Sequence, residues 1–300
     1  VLTSTPHQRV DAIVYPLMNL SVAVDDHLLG MTHVIRGKDH IANTKRQEFI
    51  FNYMGWETPV YRHYGRMGIE GVVLSTSQMR AGIQSGEYTG WDDVRLGTLR
   101  AMARRGIQPQ AVRNAVVEIG IGETDIQFSW ENLYAKNKEI IDSQADRFFF
   151  IPDPVLVPVS GSDPVLAKAM RYPGDESRGY REIPFAGYLY LPKAELASGA
   201  AFLRLKDLFN VRVLYEGDTI RGEYAGDDLQ EARSKKAPII QWLPENHANP
   251  CTLKTPEGDV SGVCEPEAVT IKDRIVQFER VGFARIDRAG NPAVAYFTHR

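Results

Sequence analysis

The 300 residues, 43% apolar and 24% charged, have the composition of an ordinary globular chain with room for two or three domains. A net charge of −3 excludes a uniformly basic nucleic-acid binder and leaves a local basic face open. No apolar run reaches bilayer-spanning length, no signal-peptide pattern opens the chain, and the two cysteines, Cys251 and Cys264, make no zinc-ligand spacing with the seven histidines. Reduced thiols and a cytoplasmic protein fit this composition better than a single disulfide. The chain begins Val1-Leu2-Thr3, without methionine, which raises the expectation of a missing amino-terminal portion.

In chain order, NLSVAVDDHLLG has helical spacing and stops at Gly30, a suitable residue for the position after a helix. MTHVIRG is a short β-branched run, read as a buried strand. DHIANTKRQEFIFNYMG reads as a helix capped by Asp39, with Ile41, Phe49, Ile50, Tyr53 and Met54 on its apolar side and Gly55 at its end. GVVL, residues 71–74, reads as a further strand. Helix, strand, helix, strand is the rhythm of a parallel α/β sheet, and this is half of one. Ser75-Thr76-Ser77 follows, with Gln78, Arg80 and Gly82 behind it. Such a hydroxyl stretch fits a plain turn or a phosphate-handling loop at the carboxyl end of a strand.

Residues 84–150 read as mostly helical: WDDVRLGTLRAMARRG ends at Gly106, PQAVRNAVVEIG starts with Pro109 and ends at Gly120, and SWENLYAKNKEIIDSQADRFF is capped by Ser129. Between Arg95 and Arg113 stand five arginines and no acidic residue, a pattern that fits a solvated face or a phosphate-backbone contact zone. From Ile151 the texture is β, with Pro and Gly turns and no repeat of fixed period, which suggests a sandwich or barrels. RIVQFERVGFARIDRAGNPAVAYFTH is the clearest hairpin, turning at Ala289-Gly290-Asn291-Pro292, and DDLQEARSKKAP is a short helical interruption.

Taken together and in this order, YPLMNLSVAVDDHLLGMTHVIRGKDH, LSTSQMR, GWDDVRL, RRGI, FFFIPDPV, RLKDLFNV and VQFERVGF resemble the archaeal-type glutamyl-tRNA synthetases, of the glutamyl/glutaminyl branch of class I. The resemblance covers the chain from about Tyr15 to Arg300. It implies a multidomain α/β + α + β chain. Residues 1–74 would be the second half of a Rossmann-type catalytic domain, 75–150 a helical stem-contact domain with the ATP loop at its start, and 151–300 two anticodon-binding β-barrels. It implies a glutamate–tRNA ligase: glutamate attacks the α-phosphate of ATP, and the terminal ribose of tRNA then takes the acyl group. ATP with Mg²⁺, glutamate and tRNA(Glu) are the implied cofactors and partners, tRNA(Gln) is left open, and neither a membrane nor a resident metal site is expected.

The resemblance also implies site residues. Ser75 falls on the serine of the family's Lys-Met-Ser-Lys-Ser loop, and Thr76 or Gln78 falls where a lysine is expected. With Ser77 these are the candidate catalytic residues, and Arg80 is the candidate substitute for the missing cation. Arg36 would grip a substrate carboxylate, because a guanidinium pairs with one bidentately. Tyr15 and Asn19 would share that pocket, where bacterial-type relatives carry a tyrosine in place of Met18. Asp39 and His40, with Ser75 and Ser77, would contact ATP. Arg147, Gln277 and Arg280 would hold the central anticodon uridine, and Arg204 and Lys206 another anticodon base. Gln277 and Arg280 are three apart, so a regular strand would point them to opposite faces unless a bulge or strand end intervenes. Phe148, Phe149 and Phe150 read as core or junction packing. The family's His-Ile-Gly-His signature and its amino-terminal arginine are absent, so the chain is expected to hold half of the active site and to make no adenylate alone. A glutaminyl-tRNA synthetase and a non-catalytic tRNA-binding module are the alternatives.

Overall fold

A computed structural model describes Arg9, residues 11–12, 14–217 and 219–300. The first eight residues of the expected catalytic portion therefore lie outside the described residues. The chain divides into two compact units, one running up to Gly71 and taking in Val116–Trp130, the other comprising Val72–Ala115 and Glu131–Arg300. Among the described residues no helix is long and apolar enough to cross a membrane.

The first unit opens with α1 (Met18–Leu28), β1 (His33–Gly37), α2 (Ile41–Met54), β2 (Val60–Tyr64) and β3 (Met67–Ile69). Strand β1 pairs in parallel with β2, His33 opposite Val60 through Gly37 opposite Tyr64. Parallel neighbours need a crossover, and α2 supplies it. Gly55 at φ 66° ends α2 in the left-handed conformation, as the sequence predicts. The apolar side assigned to α2 is the wrong one. Phe49, Tyr53 and Met54 are 62%, 86% and 58% exposed, and the helix packs through Thr44, Gln47 and Phe51. Asp39 lies in a short 3₁₀ turn and does not cap α2, whose N-cap His40 makes no side-chain capping bond. GVVL is not a strand: Gly71 turns at φ 70° and residues 72–75 are irregular. The second strand of this sheet is instead VYRHY, a short run with strand-favouring Val and Tyr that the sequence reading passed over.

The remaining helices are α3 (Thr76–Ser85), α4 (Leu99–Arg105), α5 (Pro109–Ile119) and, after β4 (Ile126–Phe128), α6 (Trp130–Ile141). Strand β4 pairs in parallel with β3. The helix expected over 91–105 is shorter, because Thr98 caps α4 through its hydroxyl to the Ala101 N–H. Asp93, buried ahead of it, accepts bonds from Thr89 and Arg95 that hold its carboxyl well below the usual carboxylate range. Three of the five arginines in the basic run are engaged internally. Arg95 pairs with Asp93, Arg104 with Asp92 at 2.7 Å, and buried Arg105 donates to the Thr298 carbonyl at 2.7 Å. Arg100 and Arg113 remain exposed.

The β portion begins with β5 (Asp146–Phe148), β6 (Phe150–Pro152), β7 (Pro154–Ser160), β8 (Val165–Met170), β9 (Tyr180–Phe185) and β10 (Tyr188–Pro192). It continues with α7 (Lys193–Ala197), β11 (Phe202–Leu205), β12 (Asn210–Glu216), β13 (Thr219–Tyr224), α8 (Leu229–Ser234), β14 (Ile239–Ile240) and β15 (Leu243–Pro244). Last come β16 (Asn249–Thr255), β17 (Gly258–Cys264), β18 (Ile275–Phe278), β19 (Gly282–Arg288) and β20 (Ala293–His299), the final two enclosing the predicted turn at 289–292.

Two seven-stranded sheets result, ordered β14-β11-β12-β13-β7-β10-β15 and β5-β18-β19-β20-β16-β17-β6. In each, the two edge strands are neighbours in sequence, separated only by Gln241-Trp242 or by Phe149. Consecutive Cα atoms are about 3.8 Å apart, so each sheet must curl until its edges nearly meet. Read along the order, both sheets pair in the same sequence of senses: parallel, antiparallel, antiparallel, parallel, antiparallel, antiparallel. The architecture repeats although the sequence shows no period.

Each curled sheet holds its own core. Val157, Leu189, Leu203, Val211 and Trp242 fill the first; Phe148, Phe150, Val276, Phe278 and Ala295 fill the second. The three consecutive phenylalanines are all buried, and Phe149 alone joins the first core. Successive side chains of an extended segment face opposite ways, which lets one tripeptide serve both. Beside it, Arg181 is 1% exposed and ion-paired to Glu265 and, at 3.0 Å, to Glu279. Glu265 also accepts the Phe149 N–H at 2.6 Å. Burial pushes the Glu265 carboxyl up to about 7, against the pull of Arg181.

Candidate functional site

Two places in the molecule carry the residues singled out for substrate chemistry, one in each unit. In the first unit, Arg36 sits on β1, half-buried, with its guanidinium 4.8 Å from the centre of the Tyr61 ring on β2. Its Nη2 donates to Thr44 Oγ1 on α2, while its Nε is buried and makes no hydrogen bond among the described residues. Thr44 lies between three groups. Its hydroxyl is 3.3 Å from the His40 carbonyl, which it donates to, and 2.9 Å from His63 Nε2. A hydroxyl has one proton, so with that proton on the His40 carbonyl, His63 must donate from Nε2.

Asn43, the neighbour of Thr44, accepts from Asn19 Nδ2 on α1 at 3.3 Å and from Arg46 at 3.2 Å, and its amide donates to His40 Nδ1 at 3.1 Å. The corner holds further unsatisfied polar atoms: Asn19 Oδ1, Asp26 Oδ2, the Tyr61 hydroxyl and both amide atoms of Gln47 are buried without a partner among the described residues. Burial raises the Asp26 carboxyl, with Arg36 pulling it back. It also raises the Tyr61 hydroxyl. A buried polar atom left unpaired costs about 1–3 kcal/mol, so such a concentration marks a place built for polar company.

Of the other residues assigned to this region, Tyr15 is half-buried. Asp39 and His40 line a cavity of about 1250 Å³ with Lys38, Arg66 and Asp125, bordered by a Lys38–Asp125 ion pair at 3.0 Å. Sequence reasoning missed Asn43, Thr44 and Gln47, because a polarity-based reading assigns them to solvent. A threonine and a glutamine on the sheet-facing side of a crossover helix are the signal that could have found them.

In the second unit, the hydroxyl stretch is not a loop. Ser75 is the N-cap of α3, its Oγ accepting from the Gln78 N–H at 3.5 Å and lying 3.0 Å from Ser77 Oγ. Ser-x-x-Gln is a capping-box pattern, and it was readable in the sequence. Met79 is the anchor, buried with Leu96 and Ala101, and a Cβ on Gly82 would lie 2.5 Å from the Tyr88 ring. Ser75, Thr76, Ser77, Gln78 and Arg80 are all exposed at the positive end of the helix dipole. Arg80 follows Thr76 by four residues and Ser77 by three, which places it on their face. That end can accept an anion. Among the described residues no cluster of histidine, cysteine and carboxylates could hold a metal ion.

The candidate RNA contacts lie on the curled sheets. Arg147 and Gln277 are register partners on β5 and β18. Arg147 is buried, paired to Asp142 at 2.8 Å and stacked 4.7 Å over Tyr172. Burial pushes the Asp142 carboxyl up, but bonds from Tyr172 and Arg147 outweigh it and hold the group below its usual range. Strand β18 ends at Phe278 and Arg280 takes φ 61°, so the strand end required to redirect it is present. Arg280 donates to the Ile239 carbonyl at 2.6 Å and faces Glu195 at 3.3 Å. Arg204 donates to the Asp227 carbonyl at 3.0 Å, and Lys206 pairs with Glu279 and Asp207.

A family model described as the catalytic domain of class I tRNA synthetases (E and Q) matches residues 5–143, and two models of the corresponding anticodon-binding domain match 145–225 and 239–287. A glutamate–tRNA ligase of Methanospirillum hungatei is 95% identical over 300 residues, all of this chain and 54% of that protein. Those of Methanoculleus marisnigri and Methanocorpusculum labreanum are 62% and 61% identical, each over all of this chain and 54% and 53% of their own length. The chain thus spans about half the length of the curated relatives it matches.

Proposed function

Because the chain belongs to the class I tRNA synthetases for glutamate and glutamine, we propose that it supplies the amino-acid-binding corner, the phosphate-facing helix and the anticodon-binding sheets of a cytoplasmic glutamate–tRNA ligase. The observation that carries this is Arg36: a half-buried guanidinium over an aromatic ring, bonded to a hydroxyl, with an unpartnered Nε and no directly ion-paired carboxylate among the described residues. A free carboxylate is the complement such a group lacks. Arg36 favours glutamate over glutamine, because a guanidinium only donates and would face the amide's own donors. In this reading the residues up to 74 are the second half of a Rossmann-type domain, and the two curled sheets act as anticodon-binding barrels.

The chemistry asked of these residues is positioning and charge stabilisation. Arg36 holds the substrate side chain, with Asn19 and Tyr15 beside it. Asp39 and His40 contact the nucleotide. ATP arrives with its own Mg²⁺. The amino-terminal end of α3 and the Ser75, Thr76 and Ser77 hydroxyls and Gln78 amide donate to phosphate oxygens, and Arg80 supplies the positive charge that a lysine would. Gln277, Arg280 and Arg147 read the central anticodon uridine, and Arg204 and Lys206 read a neighbouring base, exchanging internal partners for RNA. tRNA(Glu) is the proposed partner, and tRNA(Gln), which shares the central uridine, is a second.

The test is ATP–pyrophosphate exchange by the full-length protein carrying this sequence, with glutamate and with glutamine. Charging of tRNA(Glu) and tRNA(Gln) transcripts follows. Glutamate-dependent exchange is expected, with none from the 300-residue chain alone. Exchange driven by glutamine instead would overturn the assignment, and RNA binding without any exchange would favour a non-catalytic module.

A further inference from the structure

Two neighbouring residues of α2 hold two of the three side chains assigned to the amino acid, Asn19 and Arg36. Asn43 binds Asn19 of α1 at 3.3 Å, and Thr44 binds Arg36 of β1. Both also bind His40, Asn43 to its ring at 3.1 Å and Thr44 to its carbonyl at 3.3 Å. Thr44 is 5% exposed, and its hydroxyl has three protein partners, Arg36, the His40 carbonyl and His63.

We propose that Asn43 and Thr44 are positioning residues that set the direction of the Asn19 amide and the Arg36 guanidinium toward the substrate, and that Thr44 acts through its hydroxyl. The inference rests on Arg36 being the carboxylate ligand. It follows from how a guanidinium is held. The Tyr61 ring, 4.8 Å from the guanidinium carbon, is a contact without a hydrogen bond's directionality, and Arg36 Nε is unpartnered. The bond from Nη2 to Thr44 Oγ1 is the one directional restraint on it among the described residues. Thr44 is restrained in turn by the His40 carbonyl and by His63 Nε2, 2.9 Å away, so the hydroxyl cannot follow the arginine if it swings. A bidentate pair tolerates little rotation, and losing this bond degrades it without removing the charge.

The test uses glutamate-dependent ATP–pyrophosphate exchange in the full-length protein carrying this sequence. Thr44→Val keeps the shape and removes the hydroxyl; Thr44→Ser keeps the hydroxyl and removes a methyl. The expected result is a glutamate KM raised about tenfold or more in Thr44→Val, since a hydrogen bond to a charged group is lost. KM for ATP should stay within about twofold, and Thr44→Ser should come within about threefold of the parent. Asn43→Ala should raise the glutamate KM as well, by a smaller factor. A packing role predicts the reverse order, with valine tolerated and serine impaired, and that outcome overturns the proposal. So does an unchanged glutamate KM in Thr44→Val. If Thr44→Val does not fold, Thr44→Ala replaces it in the same comparison with Thr44→Ser. Arg36→Ala separates the two levels of inference: if it leaves the glutamate KM unchanged, the substrate assignment fails. If it abolishes glutamate use while Thr44→Val does nothing, only the positioning role fails.

Discussion

The corner around Arg36 and the junction around Arg181 use the same parts to opposite ends. Each has an arginine stacked on an aromatic ring, Arg36 on Tyr61 and Arg181 on Phe149 at 4.9 Å, and each arginine has an unpartnered Nε. Arg181 has two carboxylates of its own, Glu265 and Glu279, whereas Arg36 has a hydroxyl. Of the buried side-chain atoms lacking partners among the described residues, Arg181 Nε alone lies outside the Arg36 corner. The difference separates an arginine that completes a structure from one that awaits a ligand. Charge type does not distinguish them; a directly ion-paired carboxylate does.

The sharpest way to break that contrast is to remove both cations and compare. Arg181→Met leaves Glu265 buried without its cation and takes one of two cations from Glu279, and should cost about 3–5 kcal/mol of stability in urea unfolding. Arg36→Met should change stability by less than about 1 kcal/mol. Equal losses would make Arg36 structural. The complementary measurement is activity. Arg36→Ala in the full-length protein should lower kcat/KM for glutamate about a hundredfold, equivalent to about 2.7 kcal/mol of lost transition-state binding.

A third, smaller effect concerns pH. The bonds to Asp93 lower its folded pKa below the unfolded value of about 3.9, so its stabilisation is complete above that value and is lost as pH falls through the folded one. Asp93→Asn should cost about 2 kcal/mol at pH 7 and progressively less below pH ~4. A constant penalty across that range would mean that the carboxylate's charge is not what stabilises the turn. The smallest expected change is in Arg80→Ala. It should slow ATP–pyrophosphate exchange about tenfold and leave the glutamate KM alone. Unchanged turnover would remove Arg80 from the phosphate site.

Much of this was legible in the sequence. Gly30 and Gly55 marked helix ends because the left-handed conformation favours glycine, and the 275–299 hairpin declared itself through β-rich runs around a Gly-Asn-Pro turn. The three phenylalanines read correctly as packing, since nothing so apolar tolerates exposure thrice in a row. The failure at α2 has a plain cause. Hydrophobic pattern reports which side chains avoid water, and the Arg36 corner is packed with polar ones. Hence Phe49, Tyr53 and Met54, expected on the apolar side of α2, face water, and Thr44 and Gln47 are buried instead. GVVL misled for the converse reason: four apolar residues make a strand only with a partner to pair with, and Gly71 turns the chain instead. Ser75 was read as loop although Gln78 three residues on is the mark of a helix start.

The curled sheets carry a last consequence for how the polypeptide is made. The chain lays down β5 and β6, then all seven strands of the other sheet, and only afterwards β16 to β20. One sheet is thus nested inside the other like a parenthesis. A nascent chain that has reached Pro244 already holds every strand of the inner sheet, while the outer one exists only as its two flanking strands. Those must wait for a distant partner, and closures across such long sequence separations are slow. Synthesis order and topology therefore favour assembly from the inside outward, with Phe149 already seated in the inner core when the outer ring shuts around its neighbours.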